Sequence, residues 1–446
     1  MKKNLTLLFL LLVLQATMYA QQKPNIVFIL SDDAGYADFS FQSNRLINTP
    51  NIDRVAKEGV KFTNAYVTGA VCSPSRAGLL TGVYQAKFGH TINFTQGNKY
   101  NLPLDSLGLP LDQKLVGDYL KPIGYTTGIV GKWHLGLSAP FHPNNRGFDY
   151  FWGFLWGSSN YEVNKTRTIE ENGKPLDASA IPYTTDAIGD KSVDFIKANK
   201  DKAFFLYVSF NAPHTPMQAK PELLERFTKE LGNRNRALNA SLTYNLDENV
   251  GKIYSALEQM KLLDNTIIVF TNDNGGQTEA SFADNYPLRG KKSDVYEGGI
   301  RVPMAVSWKG KIKPGSVFET PVTTLDFLPA FLVAAGANLQ DKTYSRLEGK
   351  DLFAMIKSPS KDDYNRSLFW YVNVDKGCMR KGDYKLVCMP KQQPQLYNIK
   401  TDIGEIKDLF TTETKIADAM TKEYMDWQKK LPPLKWYVVG KTDKEE

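Results

Sequence analysis

Four short apolar runs mark the chain: Asn25 to Leu30, Thr126 to Val130, Ala203 to Phe210 and Thr266 to Phe270. They are apolar at nearly every position rather than at alternate ones, the pattern of strands buried on both faces of a parallel sheet. Helical spacing lies between them. Leu242, Leu246, Val250, Ile253, Leu257 and Met260 recur at intervals of four and three, which puts them on one face of a helix. Strands alternating with helices predict an α/β sheet, over about residues 21–346.

Beyond Leu347 the texture changes to short strand candidates with turns, at Ser367 to Val372, Gly377 to Met379 and Tyr384 to Met389. Ile416, Met420, Tyr424 and Trp427 then recur at helical spacing. This predicts a smaller α+β subdomain over residues 347–446, an antiparallel sheet plus a helix packed on the main sheet and walling one side of a cleft.

The first twenty residues stand apart. Lys2 and Lys3 precede an apolar run from Leu5 to Leu14, and the small residues Ala16 and Ala20 follow it. That run is shorter than the ~20 residues that span a bilayer, so it is expected to be a signal peptide over residues 1–20 that directs export, periplasmic or secreted. After cleavage no membrane attachment is expected.

The 446 residues carry 55 basic against 48 acidic side chains, and the resulting +7 is spread without a long basic run, which argues against nucleic acid as a partner. Three cysteines are an odd number for an exported chain. Cys378 and Cys388 flank a Lys381-Gly382-Asp383 turn signal; a hairpin there would leave them either disulfide-bonded or as two separate thiols, with Cys72 alone.

Each apolar run ends in residues suited to catalysis. The first gives Ser31-Asp32-Asp33, the second Gly131-Lys132-Trp133-His134, the third Asn211-Ala212-Pro213-His214, the fourth Asn272-Asp273-Asn274-Gly275-Gly276. In open α/β sheets ligands bind beyond the carboxyl ends of the strands, so the four termini are expected to converge on one crevice. Asp32, Asp33, Asp273 and the amide of Asn274 brought together would repel without a cation, and an all-oxygen set suits Ca²⁺ or Mg²⁺ rather than zinc, with calcium the favoured ion. Within Cys72-Ser73-Pro74-Ser75-Arg76, Pro74 suits a helix's first turn with Ser73 as its cap, placing residue 72 at the positive end of a helix dipole beside Arg76.

Cys72-x-Pro74-x-Arg76 followed by Leu80-Thr81-Gly82 resembles the formylglycine-dependent type I sulfatases of the alkaline phosphatase superfamily. The resemblance continues through Gly131-Lys132-Trp133-His134-Leu135-Gly136, Ala212-Pro213-His214, Asp273-Asn274-Gly275-Gly276, Glu297-Gly298-Gly299-Ile300-Arg301-Val302-Pro303, Gly382-Asp383-Tyr384-Lys385-Leu386 and Leu396-Tyr397, nearly the whole mature chain. It implies a large mixed, mostly parallel sheet sandwiched by helices, with Cys72 converted to formylglycine (3-oxoalanine) by a transient sulfatase-maturing enzyme. It also implies that Asp32, Asp33, Asp273 and Asn274 hold Ca²⁺, with residue 72 touching it. Arg76 would stabilise the aldehyde hydrate, one hydroxyl of which attacks sulfur, and Lys132, His134, His214 and Lys292 would surround the sulfate and the leaving oxygen.

The residues agree with that chemistry. Charge spreading onto sulfate oxygens is stabilised by Lys, Arg and a divalent cation in a water-poor site, and His134 or His214 can protonate the leaving oxygen. His90 and His142 are expected to be structural. The resemblance implies Lys292 rather than Lys291, because its distance to Glu297 fits the family, while Ser293-Asp294-Val295 departs from the family's Gly-Thr-Thr-like stretch. The aromatic segment Phe148 to Tyr161, with Trp152, Trp156 and Asn160, is either a sugar subsite or a packed loop. The expected activity is release of sulfate from a sulfated carbohydrate; the alternatives are a phosphonate or phosphodiester hydrolase and a non-catalytic binder of sulfated glycans.

Overall fold

All four apolar runs are strands. The computed structural model describes residues 23–43, 46–93, 106–162, 168–373 and 376–432. Along the chain its first twelve strands are β1 (Asn25–Ser31), β2 (Val60–Phe62), β3 (Ala65–Tyr66), β4 (Thr126–Lys132), β5 (Tyr150–Phe154), β6 (Glu170–Glu171), β7 (Lys174–Pro175), β8 (Phe204–Ser209), β9 (Thr266–Asn272), β10 (Met304–Trp308), β11 (Ser316–Phe318) and β12 (Val322–Thr323). Ten of these form one sheet in the order β11-β2-β10-β9-β1-β8-β4-β5-β6-β7, while β3 pairs with β12. The strands that end in candidate chemistry, β9, β1, β8 and β4, are therefore adjacent and parallel. Antiparallel β10 against β9 makes the sheet mixed.

Strand β1 is buried at every position. Its alternate side chains serve two cores. Ile26, Phe28 and Leu30 pack with helices Cys72–Thr81 and Phe327–Ala334 on one face; Val27 and Ile29 pack with helices Thr184–Ala198 and Arg234–Gln259 on the other. The long helix is capped by Asn233, whose side chain accepts from the N–H groups of Asn235 and Arg236. It in turn caps helix Pro50–Lys57, which lacks a side-chain cap of its own: Asp247 Oδ1 accepts from Ile52 N at 2.8 Å and Oδ2 from Asn51 Nδ2 at 2.9 Å.

The C-terminal strands β13 (Ser367–Asn373), β14 (Lys376–Lys381), β15 (Tyr384–Cys388) and β16 (Gln395–Asn398) make an antiparallel sheet. One face packs on Tyr66, Val295 and Val302 of the main body, the other on Ala417, Met420 and Tyr424 of helix Thr414–Gln428. The expected hairpin turns at Gly382, with φ 56°. Its register corrects the disulfide alternative: Cys378 stands opposite Val387 and Cys388 opposite Gly377. An offset of one residue sends the two thiols to opposite faces, and both are free.

The expected signal peptide, residues 1–20, lies outside the described residues. Among those described, no helix is long and apolar enough to cross a membrane.

Candidate active site

Backbone bonds stitch the strand ends together before any side chain is considered. Asp32 N donates to Ala212 O at 3.0 Å and Asp273 N to Ser31 O at 3.1 Å, linking the ends of β1, β8 and β9. Asp33 takes φ 64°, a left-handed conformation that Asp tolerates better than most residues. Asn272 braces that turn: its Oδ1 accepts from Ser31 Oγ at 2.8 Å and Ala34 N at 3.3 Å, and its Nδ2 donates to Ala34 O at 2.7 Å.

Helix Cys72–Thr81 delivers the candidate nucleophile position. It begins at Cys72 itself, after extended Val71, which corrects the expectation that Ser73 is the cap. Ser73 sits inside the first turn, where its N–H is satisfied by Asn93 Oδ1 at 3.0 Å and its Oγ pairs with His90 Nε2 at 2.7 Å. A side chain from a distant loop thus does what a cap would. Cys72 Sγ lies 3.6 Å from Asp32 Oδ1 and 4.0 Å from Asp33 Oδ1.

Three cations meet three carboxylates around this sulfur, all on buried or nearly buried side chains. Lys132 Nζ is 2.6 Å from Asp32 Oδ2, Lys292 Nζ 2.8 Å from Asp33 Oδ2, and Arg76 Nη2 and Nε lie 2.8 and 3.1 Å from Asp273 Oδ2. Arg76 Nη1 also donates to Ser209 Oγ and to Lys132 O. His214 Nε2 is 3.5 Å from Asp33 Oδ2, and His214 Nδ1 is 2.6 Å from Thr215 O. A carbonyl only accepts, so Nδ1 carries the proton and Nε2 is the atom that faces the site.

The electrostatics follow from burial and from these pairs. Burial works to raise the Asp32 and Asp33 carboxyls, but Lys132 beside Asp32 and Lys292 beside Asp33, with His214, hold both below the usual carboxylate range. Burial and the neighbouring Asp32 push Asp273 up. Burial opposes charge on Lys292, yet Asp33 keeps it well above the ordinary lysine value. Burial, then Asp273, pushes the Cys72 thiol up to about 12, and burial lowers His134 and His214.

Donor atoms of Asp32, Asp33, Cys72 and His214 all lie within 4.8 Å of one another. Asn274 Nδ2 donates to Asp33 Oδ1 at 2.8 Å, and the buried Asn274 Oδ1 has no partner among the described residues. An orphaned amide oxygen beside two carboxylates fits a hard cation. Sulfur is the misfit in that donor set, and an oxygen at residue 72 would complete it.

The site therefore gathers Asp32, Asp33, Cys72, Arg76, Lys132, His134, His214, Asp273, Asn274 and Lys292. Lys291 turns away to Glu279. His90 is bound to Ser73, and His142 pairs with Glu170 at 2.5 Å. In the aromatic segment Trp152 and Tyr161 are packed in the core, while Trp156 and Asn160 are half-buried. Gly157 lies against the candidate acid, since a Cβ there would fall 2.5 Å from His134 Nε2. Sequence reasoning missed Ser209 and Tyr161, whose OH donates to His214 O at 2.8 Å. Nothing around Ser209 along the chain marks it, and Tyr161 was visible only as the end of the aromatic segment, without its role. Asn272 was visible at a strand end without its role.

Comparison with known proteins finds relatives along most of the chain. A family model described as Sulfatase matches residues 24–337, and one described as N-sulphoglucosamine sulphohydrolase, C-terminal, matches residues 290–430. The chain is 33% identical to mouse (Mus musculus) N-acetylgalactosamine-6-sulfatase over 405 residues, covering 84% of this chain and 75% of the relative. It is 34% identical to mouse arylsulfatase J over 357 residues, 76% of this chain but only 57% of that protein's length. Among solved structures, Ps i-CgsB in complex with k-i-k-neocarrahexaose aligns with a TM-score of 0.86 at 35% identity, covering 93% of this chain and 95% of the other. The chain belongs to the sulfatase family, sulfuric ester hydrolases built on the alkaline-phosphatase-like fold.

Proposed function

We propose that this sulfatase removes sulfate from a carbohydrate, with residue 72 matured to formylglycine and a calcium ion beside it. The observation that carries the reading is Cys72 Sγ at the first residue of a helix, against two carboxylates and ringed by Arg76, Lys132 and Lys292. A thiol held at about 12 is a poor nucleophile near neutral pH, so the position suits a different functional group from the encoded one. Asp32, Asp33, Asp273 and Asn274 would hold the ion. When bound, calcium supplies a point charge against the ester oxygens and the hydrated aldehyde supplies the attacking oxygen.

The chain's own residues do the rest. Arg76, fixed by Asp273 and Ser209, sets its charge next to residue 72. Lys132 and Lys292 line the space in which negative charge builds on the sulfate, and their burial strengthens that interaction. A sugar alkoxide leaves poorly without a proton. His214, through Nε2, or His134 delivers it, and the arriving anionic ester raises both imidazoles from the low values that burial imposes.

A carbohydrate substrate is supported by N-acetylgalactosamine-6-sulfatase among the relatives and by the neocarrahexaose complex among the structures. Export is supported by the Lys2-Lys3 flank and the Leu5 to Leu14 run. Cys72 is 1% exposed, so the maturing enzyme must act on Cys72-x-Pro74-x-Arg76 before the fold closes over it. The test is sulfate release by co-matured protein from a panel of sulfated mono- and oligosaccharides, with Cys72→Ala as the blank. Release from one regioisomer is expected. No release anywhere, with formylglycine verified by mass spectrometry, would overturn the carbohydrate reading.

A further inference from the structure

Lys292 reaches Asp33 from a turn under strain. Asp294 N donates to Lys291 O at 2.9 Å, closing a four-residue turn in which Lys292 and Ser293 are the central residues. Ser293 has φ 76° and Lys292 has no positive φ, which is the signature of a type II turn. That position ordinarily requires glycine, because a Cβ at φ near +80° crowds the backbone. Serine pays there in conformational energy, so something else must hold the turn.

The inner side is held by two backbone bonds. Lys292 N donates to Gly276 O at 3.1 Å, and Ser293 N to Ala70 O at 2.8 Å, so one bond ties the turn to the loop after Asn274 and the other to the segment leading into Cys72. Relaxing a type II turn to the type I form that serine prefers rotates the peptide between its two central residues. That rotation would break the Ser293 N–H bond and swing the backbone that aims Lys292.

The outer side is held by a side chain from the small C-terminal sheet. Lys376, at the start of β14, donates from Nζ to Ser293 O at 2.7 Å and lies 3.5 Å from Asp294 Oδ1. Asp294 Oδ2 accepts from Lys291 N at 3.1 Å, so the same lysine steadies both ends of the turn. Its side chain is only 19% exposed, which limits competition from water.

We infer that Lys376 is a positioning residue for Lys292: by holding the Ser293 carbonyl and pairing with Asp294 it anchors the peptide that follows Ser293, so that a glycine-type turn built with serine cannot relieve its strain by swinging that end away, and so gives the C-terminal sheet a part in catalysis. This rests on the proposed role of Lys292 in stabilising charge on the sulfate. Lys376→Met is expected to lower kcat about tenfold with KM changed by less than about twofold, and Lys376→Arg to restore most of the loss. Ser293→Gly removes the need for the lock, so it should leave activity near wild type alone and suppress the Lys376→Met defect when combined with it. A merely structural contact would give neither the split between kcat and KM nor that suppression. Lys376→Met with wild-type kcat, or a defect that Ser293→Gly does not relieve, overturns the inference while Lys292→Ala remains impaired. Full activity in Lys292→Ala would instead remove the reading beneath it.

Discussion

Lys292 Nζ stands 2.8 Å from Asp33 Oδ2, while Lys291, one residue earlier, extends outward to Glu279. Adjacent and chemically identical residues thus face a buried anionic centre and solvent. Lys292→Ala is expected to reduce kcat/KM by about 10² or more, the scale of losing a charge that acts on the transition state. Lys291→Ala should change it by less than about twofold. Steady-state kinetics of the two variants on one sulfate ester would falsify the assignment if their order were reversed.

Asp273 is the partner of the fully buried Arg76 and, in the proposed function, also a ligand of the calcium ion. Asp273→Ala should abolish sulfate release and weaken calcium binding. It should also destabilise the fold by about 3–5 kcal/mol, because it strands a buried guanidinium. Calcium affinity and chemical denaturation, measured on the same preparation, check both parts; wild-type values in either would remove that duty.

Activity should track conversion of residue 72 and not the amount of protein. Preparations made with and without a maturing enzyme should differ in rate in proportion to the formylglycine fraction found in the peptide spanning Cys72. The unconverted thiol, pushed up to about 12 by burial, should give no alternative route between pH 6 and 9. Turnover by fully unconverted protein would contradict this.

Cys378 and Cys388 lie on opposite faces of the small sheet. The mature protein is expected to have the same mass and mobility with and without reductant. Both thiols should react with a thiol reagent only after denaturation, since both are buried. A peptide containing the two joined by a disulfide would mean that the β14–β15 register is wrong.

Asp247, which caps the neighbouring helix, is pushed up to about 6 by burial from an ordinary value near 3.8, against the bonds from Ile52 and Asn51. Between those two values the folded protein holds a proton that the unfolded chain has released, so stability falls as pH rises through the window. The drop amounts to about 3 kcal/mol across it. Asp247→Asn should flatten that part of the stability curve, as denaturant unfolding at pH 4 and pH 7 would show by comparison with wild type; an unchanged slope would assign the titration to another group.

Much of the site could be found in the chain before folding was considered, because strands buried on both faces write themselves as unbroken apolar runs and their ends are abrupt. Asp32, Lys132, His214 and Asp273 each follow such a run. What could not be found depends on distance in sequence. Asn93 satisfies the N–H of Ser73 from twenty residues away, inside a helix that begins at Cys72. Ser209 meets Arg76 from another strand, and the pairing of Cys378 with Val387 depends on a register that no local pattern fixes. The strands β2 and β11 escaped for another reason: at three residues each they are too short to show a period.

The uninterrupted run β9-β1-β8-β4 also acts as a ruler. Strands in a sheet are about 4.8 Å apart, so the four chemistry-bearing termini are spread over about 14 Å by backbone hydrogen bonding alone. No loop length enters that distance. Loop residues that continue from these strands and touch none of the site's side chains can change in number or composition without altering the gauge. Diversification of what enters the cleft is thereby uncoupled from the spacing of the termini that line it, and a chain of this architecture can change which ester it accepts by editing its rim.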